Sequence, residues 1–362
     1  MFSREQKEKF KKVLLVAPLF ILFNYGCSLS GIIGRVLFVE RIGSEFLPYA
    51  YVVSAILGGI FAISVSNFLK KLSLAKLLQI FSWLGALLFF GNYILMAYDS
   101  FWSYVLFFTV STSFYLILAG TVIWRIAGNI SNLFESKSIF IYYSLAYSLG
   151  GVLACISTSY LEAIWGMEKL IIPVSISLVL AAINLLLIQN KYSEQLQPVA
   201  EDGEKLSYFA SLKKDFLDFK KTRLAKMLFI GITIFNIVWW MSDYEFQKIA
   251  GDALTEDEYS QVSGILTIVN HLLLILTRFV ETWVMKKAGV LQSLLLSPLL
   301  VLISFALLFF FPTPAFAFIL NVTTPLIGLS IFTSSTQSAF TALPNSIRNK
   351  VATFVSGNSD AF

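Results

Sequence analysis

Residues 260–281 set Ser260, Ser263, Gly264, Thr267, Asn270, His271, Arg278 and Glu281 within an arc of about 120° when wound at 3.6 residues per turn. Apart from Gln261, Thr277 and Phe279, the rest of that stretch is Leu, Ile and Val. An amide, an imidazole and two charges find no partner in hydrocarbon, so this face must meet protein or a water-filled cavity. Hydrogen bonding and charge compensation of a polar solute are the chemistry such a set can perform. Asn270 and His271 fall near mid-depth. Arg278 and Glu281, one turn apart near the helix end, can equally pair with each other or snorkel to the interface. His271 is the single histidine of the chain, so a nucleophile–base–acid set would have to be built around it alone, which disfavours an intramembrane hydrolase. No G-x-x-x-x-G-K-[ST] loop, H-E-x-x-H or C-x-x-C occurs. Cys27 and Cys155 lie singly in apolar segments, without the spacing of a metal site or a disulfide framework. The expectation is a non-enzyme with no metal and no cofactor.

The elements that position these residues are membrane spans. The chain has 362 residues, 57% hydrophobic and 14% charged, against about 25% charged in an ordinary soluble domain. This is an all-α polytopic membrane protein. Apolar runs of about 20 residues predict ten spans, near 13–34, 46–67, 73–97, 101–124, 139–160, 169–190, 224–243, 260–284, 289–311 and 314–341. The first is too long for a signal-peptide apolar region and is read as retained. With the N-terminus inside, the outer segments hold four basic residues, Arg35, Arg41, Lys169 and Lys248. Arg278 lies within a span, and the remainder of the 27 Lys and Arg fall inside. The positive-inside rule therefore places the N-terminus in the cytoplasm. That one-sided placement also accounts for the net charge of +5 without a nucleic-acid partner.

The long polar stretch 191–223 divides the chain into an N-terminal six-helix bundle, 1–190, and a C-terminal bundle, 224–362. Within the linker, 206–221 sets Phe209, Leu212, Phe216 and Phe219 among Lys213, Lys214, Lys220 and Lys221, the pattern of a basic amphipathic helix on the inner leaflet, with a cytosolic partner as the other use of that surface. Six spans, a linker and more spans is the layout of carriers built from two repeated halves. Asn24, Ser28, Gly31 and Arg35 share one face of the first span, and Thr233, Asn236, Trp240 and Asp243 share one face of the seventh. Both look like cavity liners. Arg35 and Asp243, of opposite charge at corresponding helix ends, are read either as an outer gate or as two separate interfacial charges. Gly58-Gly59 and Gly150-Gly151 are expected to let helices approach closely, and Pro325 with Gly328 to bend the last span.

Three stretches resemble the nucleotide transporter (ATP:ADP antiporter) family within the major facilitator superfamily. They are Gly34-Arg-Val-Leu-Phe-Val through Phe46-Leu-Pro-Tyr-Ala-Tyr; Trp124-Arg-Ile-Ala-Gly-Asn-Ile-Ser-Asn-Leu-Phe through Ser148-Leu-Gly-Gly; and Asp243-Tyr-Glu-Phe-Gln-Lys paired with Leu343-Pro-Asn-Ser-Ile-Arg-Asn-Lys. The resemblance implies a major-facilitator-like two-bundle transporter with twelve helices, of which about ten are present, the C-terminal bundle being incomplete. It also implies alternating-access transport of an organic anion such as ATP or ADP, with basic residues facing a central cavity. Arg278, and Arg35 and Arg125 at helix ends, are the basic residues available for that. A membrane-embedded sensor or interaction module without transport, and a lipid flippase, are the competing readings. Membrane lipids and a small anionic solute are the expected partners, and a bacterial inner membrane the expected location.

Overall fold

A computed structural model of the chain describes residues 4–69, 72–117, 122–130, 133–196, 223–328 and 332. Among these, all regular structure is helical: α1 Arg4–Arg41, α2 Leu47–Leu69, α3 Leu74–Met96, α4 Phe101–Ile117, α5 Ile123–Ile130, α6 Leu133–Trp165, α7 Ile171–Tyr192, α8 Arg223–Ala253, α9 Glu256–Phe310 and α10 Pro314–Ile327, with short 3-10 turns before α2 and α7. Seven are long and apolar enough to cross a membrane, and Phe101–Phe114 and Pro314–Ile327 are shorter apolar helices. The outward faces carry Ile56, Ile60, Leu87, Leu88, Ile176 and Leu302, a surface that only lipid could solvate favourably. The protein is a multi-pass membrane protein.

The spans predicted from apolar runs fall on these helices, with physical differences at their ends. Of the span 101–124, α4 is described to Ile117 and α5 from Ile123, and residues 118–121 lie outside the described residues. The seventh span runs past its charges to Ala253, because Phe246, Gln247 and Ala250 are buried on the extension. The eighth and ninth belong to one helical run interrupted at Gly289, whose φ of 80° and ψ of 168° only glycine adopts readily. The tenth is described to Ile327. The amphipathic segment 206–221 lies outside the described residues.

The chain divides into two compact units, Met1–Ala200 with Thr255–His271, and Glu201–Leu254 with Leu272–Phe362. The boundary thus passes through α9 immediately after His271. In the first unit α1 is the central helix and packs on α6, α7 and α4, while α3 packs on α7 and α2 on α4. Val16, Leu19, Phe20, Phe23, Leu29, Ile32 and Ile33 bury its length. Close approach has a local cause at Gly150, where a Cβ would overlap the Ile21 carbonyl oxygen and lie 3.0 Å from the Tyr25 nitrogen. Gly34 similarly brings α1 onto α4, with Ser111 Oγ 3.2 Å from a Cβ placed there. Gly58 and Gly59 do not act this way: only Ser113 Cβ, at 4.0 Å, comes near the first, and nothing within 4 Å meets the second. Side chains satisfy backbone where lipid cannot: Asn184 Nδ2 donates to the Leu15 carbonyl at 3.2 Å beside Pro18, and Ser113 Oγ donates to the Ser54 carbonyl at 2.8 Å. At the start of α9 the Thr255 N–H and hydroxyl donate to Glu258 at 3.0 and 2.9 Å. This capping box holds the Glu258 carboxyl below its ordinary range.

In the second unit α8 packs on α10. Phe235, Val301 and Ile327 form a buried cluster, joined by Trp239 and by Phe332, whose ring stacks on Phe235 at 4.3 Å. Gly328 has no room for a side chain, since a Cβ there would come within 2.6 Å of the Phe235 ring. Dense contact therefore requires this glycine.

Candidate functional site

Between Ser260 and His271 the polar face of α9 meets residues of α6 and α1. Ser260 donates to Glu162 of α6, and Ser159 Oγ comes 3.9 Å from where a Gly264 Cβ would be. Thr267 turns back on its own helix and donates to the Ser263 carbonyl at 2.9 Å. One turn on, His271 is 9% exposed and enters a cluster supplied by α1 and α6. Its Nε2 lies 3.4 Å from Asn24 Nδ2 and 3.3 Å from Ser28 Oγ. Asn24 Nδ2 donates to the Tyr147 carbonyl at 2.6 Å, and Ser28 Oγ lies 3.4 Å from Asn24 Oδ1. The Tyr147 ring meets the imidazole edge-on at a centroid separation of 6.3 Å.

Each member is there for a local reason. Asn24 and Ser28 are one turn apart on α1, so both hydrogen-bonding groups point the same way. Gly151 on α6 has no Cβ, and the imidazole takes that space: a methyl there would overlap Nε2 and lie 2.8 Å from Cε1. Behind the cluster an aromatic wall continues, with Trp124 6.4 Å from Tyr147 and 4.8 Å from Phe20, and Phe20 stacked on Tyr143 at 5.1 Å. His271 Nδ1 in the cluster, and Asn270 Oδ1 on the preceding residue of the helix, are buried and have no hydrogen-bond partner among the described residues. Native interiors rarely leave such atoms unmatched.

Of the residues singled out from sequence, Asn24 and His271 come together directly. Asn270 adjoins them on the helix but makes no bond to the cluster. Arg35 is half-buried on α1, farther along the same face. Arg125 lies on α5, and Arg278 and Glu281 on α9; their side chains fall outside the described residues. Asn236 is half-buried on α8. Sequence reasoning passed over Tyr147, whose contribution is a backbone carbonyl and leaves no side-chain signal. It also read Gly151 as a packing residue, whereas the space it leaves is occupied by the imidazole.

In the second unit Asp243 is 4% exposed. Its Oδ1 accepts from Gln247 Nε2 at 3.2 Å and from Asn321 Nδ2 at 3.4 Å, and the neighbouring Ser242 donates to the Leu320 carbonyl at 3.4 Å. A buried carboxyl group relies on donors such as these two amides to offset its lost hydration. Asp243→Ala should lower the apparent melting temperature by the equivalent of about 1–3 kcal/mol, whereas Asp243→Asn, which keeps an acceptor, should lose less. Thermal unfolding of the purified full-length variants measures the difference.

Taken with its helix order and its polar centre inside apolar surroundings, the chain has the fold of the major facilitator transporters. A mutant of the nucleoside transporter NupG superposes with a TM-score of 0.69 at 16% identity, over 97% of this chain and 88% of that one. The peptide transporter POT in complex with sulfate gives 0.66 at 13% identity, over 97% and 86%. A bacterial homologue of the human lysosomal transporter Spinster, inward-facing and unoccupied, gives 0.58 at 12% identity, over 98% and 80%. No protein-family model and no curated protein matches the sequence.

Proposed function

We propose that this protein is a secondary carrier that moves an organic anion across its membrane by alternating access, with nucleotides of the ATP/ADP type as the first candidates. The observation that carries this reading is the Asn24–Ser28–His271 cluster, buried among spanning helices with polar atoms unmatched. Polar groups at such depth are costly and mark solute or ion pathways. Fold likeness to proteins described as transporters of nucleosides and peptides supports it. Arg35, Arg125 and Arg278 are the cations proposed to compensate solute charge, and Asn236 and Asp243 are proposed to line the pathway from the second unit.

A sensor or interaction module is favoured by one specific feature, the Ser260–Glu162 and Asn24–Tyr147 bonds, which satisfy polar groups within the protein. A thermal-shift screen of nucleotides and organic anions on the full-length protein separates the two. A ligand at 100 times its dissociation constant stabilises by about 2.7 kcal/mol. The carrier reading expects at least one such shift in the wild type and its loss in Arg278→Ala. A flat response across the panel, with a co-purifying protein, would favour the module.

We also propose that the N-terminus is cytoplasmic and that the membrane is a bacterial inner membrane. A cysteine introduced at Lys287 should then be labelled only from the cytoplasm, and one at Asp252 only from outside. Both positions are exposed in the structure. Labelling of the two from one side would remove this orientation.

A further inference from the structure

We infer that His271 is held as the neutral imidazole with its proton on Nδ1, and that this N–H is the hydrogen-bond donor offered to an oxygen acceptor of the solute. The second clause rests on the carrier reading; the first does not.

The amide orientation of Asn24 is set by its neighbours. The atom 2.6 Å from the Tyr147 carbonyl must be the nitrogen, since two oxygens would repel, and the other amide atom faces the Ser28 hydroxyl at 3.4 Å as an acceptor. The amide nitrogen has one hydrogen left, on the side of His271 Nε2 at 3.4 Å. A proton on Nε2 would oppose that amide N–H, so Nε2 accepts from Asn24, while the Ser28 hydroxyl 3.3 Å away keeps its single hydrogen on Asn24 Oδ1. An imidazole that accepts at Nε2 and is neutral carries its hydrogen on Nδ1.

Nδ1 is buried and has no partner among the described residues. Gly151 cedes the volume of a Cβ to the Nε2 edge of the ring, and the Asn24 amide N–H favours the pose that keeps the acceptor nitrogen on that edge. The cluster therefore holds a preset, neutral donor to which no acceptor is bonded among the described residues. A carbonyl, carboxylate or phosphoryl oxygen brought by the solute supplies what is missing. Because the ring is neutral, it selects for an oxygen acceptor rather than for charge, leaving charge compensation to the arginines.

The chain's single histidine makes the test direct. Full-length protein carrying 15N-histidine and a histidine-free purification tag is reconstituted in lipid, and its imidazole nitrogens are observed by solid-state NMR with and without millimolar ADP or uridine. The expected result is one histidine, protonated at Nδ1 only, with the Nδ1 resonance moved by at least one of the two probes. In parallel, labelled ADP uptake is compared for His271→Asn and His271→Gln. The Asn amide ends at the same bond from the backbone as Nδ1, whereas Gln reaches the Nε2 position and satisfies Asn24 and Ser28. His271→Asn should keep about tenfold more uptake than His271→Gln, the effect of one lost hydrogen bond, although His271→Gln should be the more thermostable of the two. A proton on Nε2, a doubly protonated ring, an unmoved Nδ1 in protein that does take up ADP, or equal or better uptake by His271→Gln would each overturn the inference. Wild-type vesicles that take up neither probe would instead count against the carrier reading, while the observed tautomer still decides where the proton lies.

Discussion

Gly150→Ala is expected to cost more stability than any other single-methyl change in the first unit. The added Cβ meets backbone, the Ile21 carbonyl oxygen and, at 3.0 Å, the Tyr25 nitrogen, so no rotamer change can relieve it. α6 must move away from α1, along the interface that buries Phe20 and Phe23. Overpacking of this kind costs about 1–3 kcal/mol where side chains can yield, and more is expected where they cannot. The displacement would also lengthen the Asn24–Tyr147 bond, since Tyr147 lies less than one turn from Gly150. Both a lowered melting temperature in lipid and loss of solute-dependent stabilisation should follow. A Gly150→Ala protein as stable as wild type would show that α1 and α6 do not meet this closely.

Gly151→Ala should behave differently although it is the next residue. The three atoms nearest to its Cβ all belong to the His271 imidazole, a side chain that can swing aside. Fold and melting temperature should be largely retained, while uptake falls to the level of His271→Ala. The pair is coupled, because the imidazole cannot be displaced twice: Gly151→Ala combined with His271→Ala should be no worse than His271→Ala alone, a departure from additivity expected of residues in contact. Additive losses in uptake would separate Gly151 from the imidazole.

What could be read from the sequence, and what could not, follows from the range of the interactions. Helical periodicity put Asn24 with Ser28 on one face and Ser260, Thr267 and His271 on another, because those relations lie within a single helix. Nothing in periodicity says which faces meet. Asn24 and His271 are 247 residues apart, Asn24 and Tyr147 123 apart, and Asp243 and Asn321 78 apart. The acceptor from Tyr147 is a backbone carbonyl common to every residue. Gly150 and Gly151 are alike in sequence, yet one admits a helix and the other an imidazole. Gly58 and Gly59 admit neither. The C-terminal end of α8 lies beyond the expected one for a related reason: Asp243, Glu245, Lys248 and Asp252 suggest a boundary, but Phe246, Gln247 and Ala250 turn inward between them. Charge density along the chain marks the interface only when the charges face it.

The measurement that bears most directly on the carrier reading is counterflow in proteoliposomes. Vesicles containing the purified wild-type protein and loaded with unlabelled ADP are diluted into a trace of labelled ADP, alongside Gly151→Ala vesicles as the matched control. A carrier of this solute class should accumulate label transiently above equilibrium in the wild type, with Gly151→Ala near the protein-free baseline. Accumulation equal to that of protein-free vesicles, repeated with uridine and with a panel of organic anions, would contradict the account.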